Sequence, residues 1–366
     1  MTRFSMLLAG AILIAAPGCA STPAMGGGSA ASTAPVAAPV LPWEVKTREH
    51  VDLWLHGYAM LTNDTALVPL FRRGYREEML RRRTQIGVTT LLDVNRDRLV
   101  SRLQSNPALV NGQFVALYFA NFDQIRQGTD LLLQLQGNIA QVQDPNSRAL
   151  LAVLAGSFPT TADREWLRMF VASLEDERAK FYHDFFTGEQ RVRLGTIRAV
   201  DSLWQGQYRS RLQRYLNNTQ LQSGDFLLSL PLGGEGRTAT FAKKQNAIAV
   251  TLPATQGAAL EAIYAFVHEA ISAVAGPAIT DNITPTEQRS GLGNQIAAAA
   301  AVRGGAMLLE RTAPELVDGY ERFYLRTAGA GVPGGSPANA FAAKFPLPET
   351  IRAAIARQLE AVLGGI

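Results

Sequence analysis

Helical periodicity dominates the first part of this 366-residue chain, and it breaks off at residue 223. In EVKTREHVDLWLHGYAML, Val51, Leu55 and Tyr58 share one helical face with Trp54 beside them. Over residues 64–83, Leu67, Phe71, Tyr75 and Met79 recur every fourth position. Arg72, Arg73, Arg76, Glu77, Glu78, Arg81, Arg82 and Arg83 fill much of the remaining surface there. Further helices are expected over 111–136, over 161–186 with Thr160 or Thr161 as cap, and over 189–216, with Gly188 as the interruption. The texture then changes. Short apolar runs at 226–230, 237–242 and 247–252 are candidate strands between polar or glycine-rich turns. Helical patterns return at 257–275, 286–310 and 314–326, followed by a Gly/Ala/Pro loop over 327–346 and an amphipathic helix over 348–363. This order predicts a predominantly helical α+β fold, with a helical region at 43–222 and an α+β region with a small sheet at 223–366.

Composition narrows the function classes. Hydrophobic residues make up 47% and charged residues 18%, which is globular. A net charge of +4 over the whole chain is too thin to argue for nucleic acid, which asks for a concentrated basic stripe. Gly233-Gly234-Glu235-Gly236 fits neither GxxxxGK[ST] nor GxGxxG, so it reads as a flexible hairpin turn, and no nucleotide is expected. The one cysteine, Cys19, excludes a disulfide within the chain and any thiolate metal cluster.

The first residues read as an address. Arg3 precedes an apolar run over 4–16, too short to span a bilayer and right for a signal peptide over 1–18. The run leads into Ala16-Pro17-Gly18-Cys19, which resembles the lipobox of bacterial lipoproteins, although members usually carry Leu where Ala16 stands. The resemblance implies a Cys19 acylated by several chains, which anchor stably where one would not. An ordinary signal peptide is the alternative. Ala20, in place of Asp, leans the resemblance toward an outer-membrane lipoprotein facing the periplasm. Residues 19–42 carry no charge and are mostly Ala, Gly, Pro, Ser and Thr, a flexible tether from the lipid bilayer to the folded part.

One motif points to chemistry. His268 and Glu269 interrupt an otherwise apolar helix, and burying them is costly unless they are paired. With a strand before the helix, the context resembles zincin metallopeptidases of the gluzincin branch. In that family a helical HExxH supplies two zinc histidines and a catalytic glutamate, and a later helix supplies a third ligand. The resemblance spans about residues 223–326 and aligns His268 with the first zinc ligand and Glu269 with the catalytic carboxylate. It departs from the pattern twice. Ser272 stands in place of the second histidine, and Arg303 in place of the ligand glutamate of EGxAxxxE, in the run that ends at Glu310. A guanidinium cannot bind zinc, so Arg303 is expected to pair with Glu269 as a substitute for the metal's charge.

The favoured expectation is therefore a degenerate, non-catalytic domain without cofactor, binding or scaffolding an envelope protein or peptide beside its edge strand. The alternatives are an active zinc peptidase with an irregular ligand set, drawing on Glu310, Asp281 or Glu287 beside His268, and a purely structural helical lipoprotein. His50, His56 and His183 read as surface or half-buried helix residues, and no GxSxG serine is present.

Overall fold

A four-stranded mixed sheet carries the candidate site, and helical segments from before and after it in sequence pack against it. The computed structural model describes residues 43–242 and 245–364, so the leader, Cys19 and the tether lie outside the described residues. The strands are β1 (Glu44–Lys46), β2 (Gly224–Ser229), β3 (Arg237–Ala242) and β4 (Gln245–Thr251), in the order β1-β2-β4-β3. β1 and β4 run parallel to β2, and β3 closes the far edge antiparallel to β4. Phe226–Leu228 and Ala247–Val250 are buried throughout, as expected of strands covered on both faces.

The predominantly helical α+β class is what the fold shows, and β2, β3 and β4 fall where the apolar runs placed them. β1 falls where a helix was expected. Its three residues pair with Asp225, Phe226 and Leu227, and Lys46 adds an ion pair to Asp225 at 2.7 Å. Three residues are too few to show a period. β1 also carries the first region into the sheet of the second, and the two share a core: Trp43 packs edge-on against Phe266 at 5.1 Å, and Trp204 against Phe226 at 5.2 Å.

The helix Glu49–Leu61 is buried at every position from His50 to Leu61, so it is an axis of the core and not an amphipathic surface helix. Both His50 and His56 are consequently buried, while His183 is exposed and meets Glu49 at 3.0 Å. Residues 64–74 are not helical. Asp64 accepts the Ala66 and Phe71 N–H groups at 3.1 Å, Phe71 bridges to Leu232, and Gly74, at φ 75°, sets the start of the helix Tyr75–Gln85. Tyr75 and Met79 keep the expected spacing on that helix and are buried, whereas Phe71 is buried from the loop and Leu67 is exposed.

Residues 107–118 form 3-10 turns that open at Pro107. The helix expected over 161–186 starts on a capping box of Thr160 and Asp163 and contains a wider π turn, Arg178–Tyr182. A second π turn spans Trp204–Tyr208. Each places a large ring, Tyr182 or Trp204, wholly in the core. Gly188 lies inside the helix His183–Val192 and interrupts nothing; the break falls at Arg193.

The apolar stretch Gln256–Thr280, 25 residues, is long and apolar enough to cross a membrane, yet 72% of its most apolar 18-residue window is buried in protein. It is two helices, Leu260–Ala270 and Ser272–Thr280, meeting at Ile271. The helix expected over 286–310 is two, Pro285–Ser290 and Leu292–Thr312, parted by Gly291 at φ 82°. Val317–Thr327 and Glu349–Gly364 follow the expected pattern, and a short helix, Ala338–Lys344, occupies part of the expected loop.

Candidate functional site

The helix Leu260–Ala270 lies on β4 and β3 and delivers His268 and Glu269 from its last turn. Glu269 reaches the start of the edge strand. Its Oε1 accepts the Gly236 N–H at 3.0 Å, and its Oε2 accepts the Thr238 hydroxyl at 3.0 Å. A Cβ on Gly236 would sit 2.7 Å from Glu269 Cγ and also collide with the Ala249 carbonyl, so this close approach needs glycine. Burial acts to raise the Glu269 pKa, but His268, Arg237 and the Gly236 N–H outweigh it and hold the carboxyl below its ordinary value.

His268 Nδ1 lies 3.3 Å from Glu269 Oε1, and its ring stacks on Tyr324 with centroids 5.4 Å apart. The imidazole is 6% exposed, and its buried Nε2 has no hydrogen-bond partner among the described residues. A neutral ring donating from Nδ1 to the carboxylate carries its lone pair on Nε2. Tyr324 donates to the Gly234 carbonyl at 3.0 Å, and Gly233 and Glu235 donate to Leu70 and Pro69. The glycine run is thus a clamped connection and not a flexible turn.

The other expected members do not join. Ser272 opens the next helix, is exposed, and donates its hydroxyl to the Glu269 carbonyl at 2.7 Å. Arg303 stacks over Phe341 at 5.3 Å and acts on Glu321, so the cation near Glu269 is Arg237 of β3. Glu310 is exposed and lies near Glu321 and Arg352. Among the described residues no group of three His, Cys, Asp or Glu side chains is arranged to hold a metal ion. One imidazole beside one carboxylate, with both carboxylate oxygens already accepting protein donors, does not fit zinc, which takes three or four protein ligands.

The outer side of β3 has its own furniture. Arg237 donates to Gln113 at 2.8 Å and lies over the Phe114 ring, while Phe241 meets Tyr118 at 4.5 Å. Sequence reasoning missed Gly236, Arg237, Thr238, Gln113 and Tyr324. Only Gly236 carried a signal, as a glycine directly before a strand.

No protein-family model, curated protein or solved structure matches this chain.

A second polar cluster lies in the core. Asp52 accepts the Leu230 N–H at 2.9 Å, the Ser229 hydroxyl, and the Tyr182 hydroxyl at 3.1 Å. Burial pushes its pKa up to about 7 against those donors. One turn on, His56 Nε2 donates to Glu177 at 3.1 Å and Nδ1 accepts from Tyr75 at 2.9 Å. Burial lowers the His56 pKa, so the ring is neutral. Arg83 pairs with Glu177 at 2.9 Å and Asp93 at 2.8 Å. His56 and Glu177 are 0% exposed, so this triad-like set cannot reach a substrate.

Proposed function

We propose that the protein is an exported lipoprotein of the cell envelope, held at the outer membrane through acylated Cys19, whose zincin-like region is non-catalytic and binds or scaffolds an envelope protein or peptide. The observation that carries this reading is how Glu269 is held. Gly236, His268 and Thr238 fill three of its about four acceptor sites and tie the carboxylate to the edge strand, not to a metal-bound water. Glu269 instead braces the edge strand, and a braced, aromatic-flanked edge suits addition of an extended peptide strand. The order of strand, then helix carrying His268 and Glu269, supports the zincin-like part of the reading.

The test is metal stoichiometry by mass spectrometry on the full chain carrying Cys19→Ser, after zinc re-addition. The expected result is no stoichiometric zinc and no change with His268→Ala. About one zinc per chain, lost in His268→Ala, with peptide hydrolysis abolished by Glu269→Gln, would replace this reading with an active peptidase of irregular ligand set. Membrane fractionation of the unmodified chain against Cys19→Ser tests the anchor separately.

A further inference from the structure

The positive charge of this chain is concentrated. Residues 72–102 hold nine arginines against four carboxylates, a surplus of five, where the whole chain has a surplus of four. Several are committed internally: Arg83 to Glu177 and Asp93, Arg72 and Arg82 to Glu78, and Arg102 to Asp163. Among the described residues Arg76, Arg81 and Arg98 make no salt bridge, and Arg96 reaches only the fully exposed Asp97, at 3.8 Å.

Arg76 and Arg96 line one small cleft, with Leu80 and Leu92 as apolar wall and the Arg83–Asp93 pair beside them. Arg83 is shared by Glu177 and Asp93, so these two carboxylates leave one positive charge over among the guanidiniums of Arg76, Arg83 and Arg96. Burial, and next the Arg96 guanidinium, lower the Arg76 pKa, with Glu77 acting the other way. Arg76 and Arg96 face one cleft with a positive charge left over, which favours an anion there. Near it in sequence, Leu80, Ile86, Leu91 and Val94 are 38, 60, 39 and 68% exposed, four of the ten exposed large apolar side chains among the described residues. The only aromatic residue in the segment, Tyr75, is buried, so there is no platform on which bases could stack.

We propose that the face formed by the helix Tyr75–Gln85, the turn Leu91–Val94 and Arg96 docks on an anionic lipid bilayer. Arg76 and Arg96 share one phosphate diester headgroup, and Leu80, Ile86, Leu91 and Val94 enter the interface. Guanidinium groups match phosphate oxygens in geometry and charge, and adjacent aliphatic side chains supply the buried apolar area that a purely electrostatic contact lacks. This docking requires no acylation of Cys19.

The experiment is vesicle flotation of the full chain carrying Cys19→Ser, so that a failed anchor and a failed docking face are told apart. Binding is expected to phosphatidylcholine vesicles containing phosphatidylglycerol, and at least about tenfold weaker binding to phosphatidylcholine alone. Arg76→Gln with Arg96→Gln should weaken binding about thirtyfold at an unchanged melting temperature. Ile86→Ser with Val94→Ser, both at exposed positions, should weaken it as well. Equal binding to the two vesicle types, or indifference to the arginine pair, overturns the proposal. Displacement by inorganic phosphate beyond that by chloride at equal ionic strength would assign the cleft to a free phosphate and overturn the lipid. Arginine-dependent binding of a single-stranded oligonucleotide without vesicle binding would hand the face to nucleic acid.

Discussion

The two buried polar clusters differ in what they leave over: in the first only the Nε of Arg83, whose guanidinium is already paired with Glu177 and Asp93, and in the second a ring nitrogen of His268. Around the helix Glu49–Leu61, Asp52, His56 and Glu177 are fully buried and fully partnered, with donors and acceptors drawn from helices far apart in sequence and from the end of β2. At the end of the helix Leu260–Ala270, Glu269 is equally well held, but His268 keeps a buried nitrogen without a partner. Buried polar groups are costly unless satisfied. The first cluster therefore reads as a fastening of the fold. In the second, the idle nitrogen costs its desolvation, and the carboxylate fastens one strand edge.

The largest effect that would break this contrast is at Glu177. Glu177→Ala leaves Arg83 and His56 facing a void in the core and should cost about 3–5 kcal/mol in chemical denaturation. A loss no larger than that of a surface variant would mean that the network is not a fastening.

Next comes the pH dependence of Asp52. Its folded pKa, about 7, lies above the ordinary carboxylate value. Its contribution is therefore fully present below about pH 4 and is lost as pH rises through 7. His50 has the opposite sign. Burial pushes it down to about 4 while its Nε2 donates to the Phe119 carbonyl, so its contribution holds above its ordinary pKa and is lost as pH falls toward 4. The two slopes offset. Asp52→Asn should expose the His50 slope, and stability should fall more steeply between pH 7 and 4 than in the parent, by a few kcal/mol at most. Parallel curves would show that Asp52 does not titrate in that range.

The smallest effect sharpens the contrast most. His268→Phe keeps a ring on Tyr324, relieves the unpartnered Nε2 and loses the 3.3 Å contact of Nδ1 with Glu269, so the two effects offset and stability should stay within about 1 kcal/mol of the parent. A loss of several kcal/mol would mean that Nε2 holds a structural partner and that the two clusters are of one kind.

The class of fold was legible because long apolar periods and a block of short runs survive any detail of packing. β2, β3 and β4 fell where the runs put them. What was not legible depended on neighbours remote in sequence. β1 is a strand only because Asp225, Phe226 and Leu227 lie beside it. Residues 64–74 carry a helical spacing, yet Asp64 and Leu232 hold them as a loop. At the candidate site, His268 and Glu269 were visible as polar residues in an apolar helix. Their partners were not, because alignment by spacing pointed to Arg303 while the strand turn delivered Gly236, Arg237 and Thr238.

The helix Glu49–Leu61 has a consequence for how the chain comes to be. It leaves the ribosome early, yet no face of it is fit for water. The hydroxyl that meets Asp52 from Tyr182 lies 130 residues later, and the backbone N–H of Leu230 lies 178 residues later. Such long-range closure is slow, and an apolar segment waiting for it is prone to aggregation. Until β2 has been synthesised this segment needs shelter, so a holding chaperone should recognise the nascent chain there.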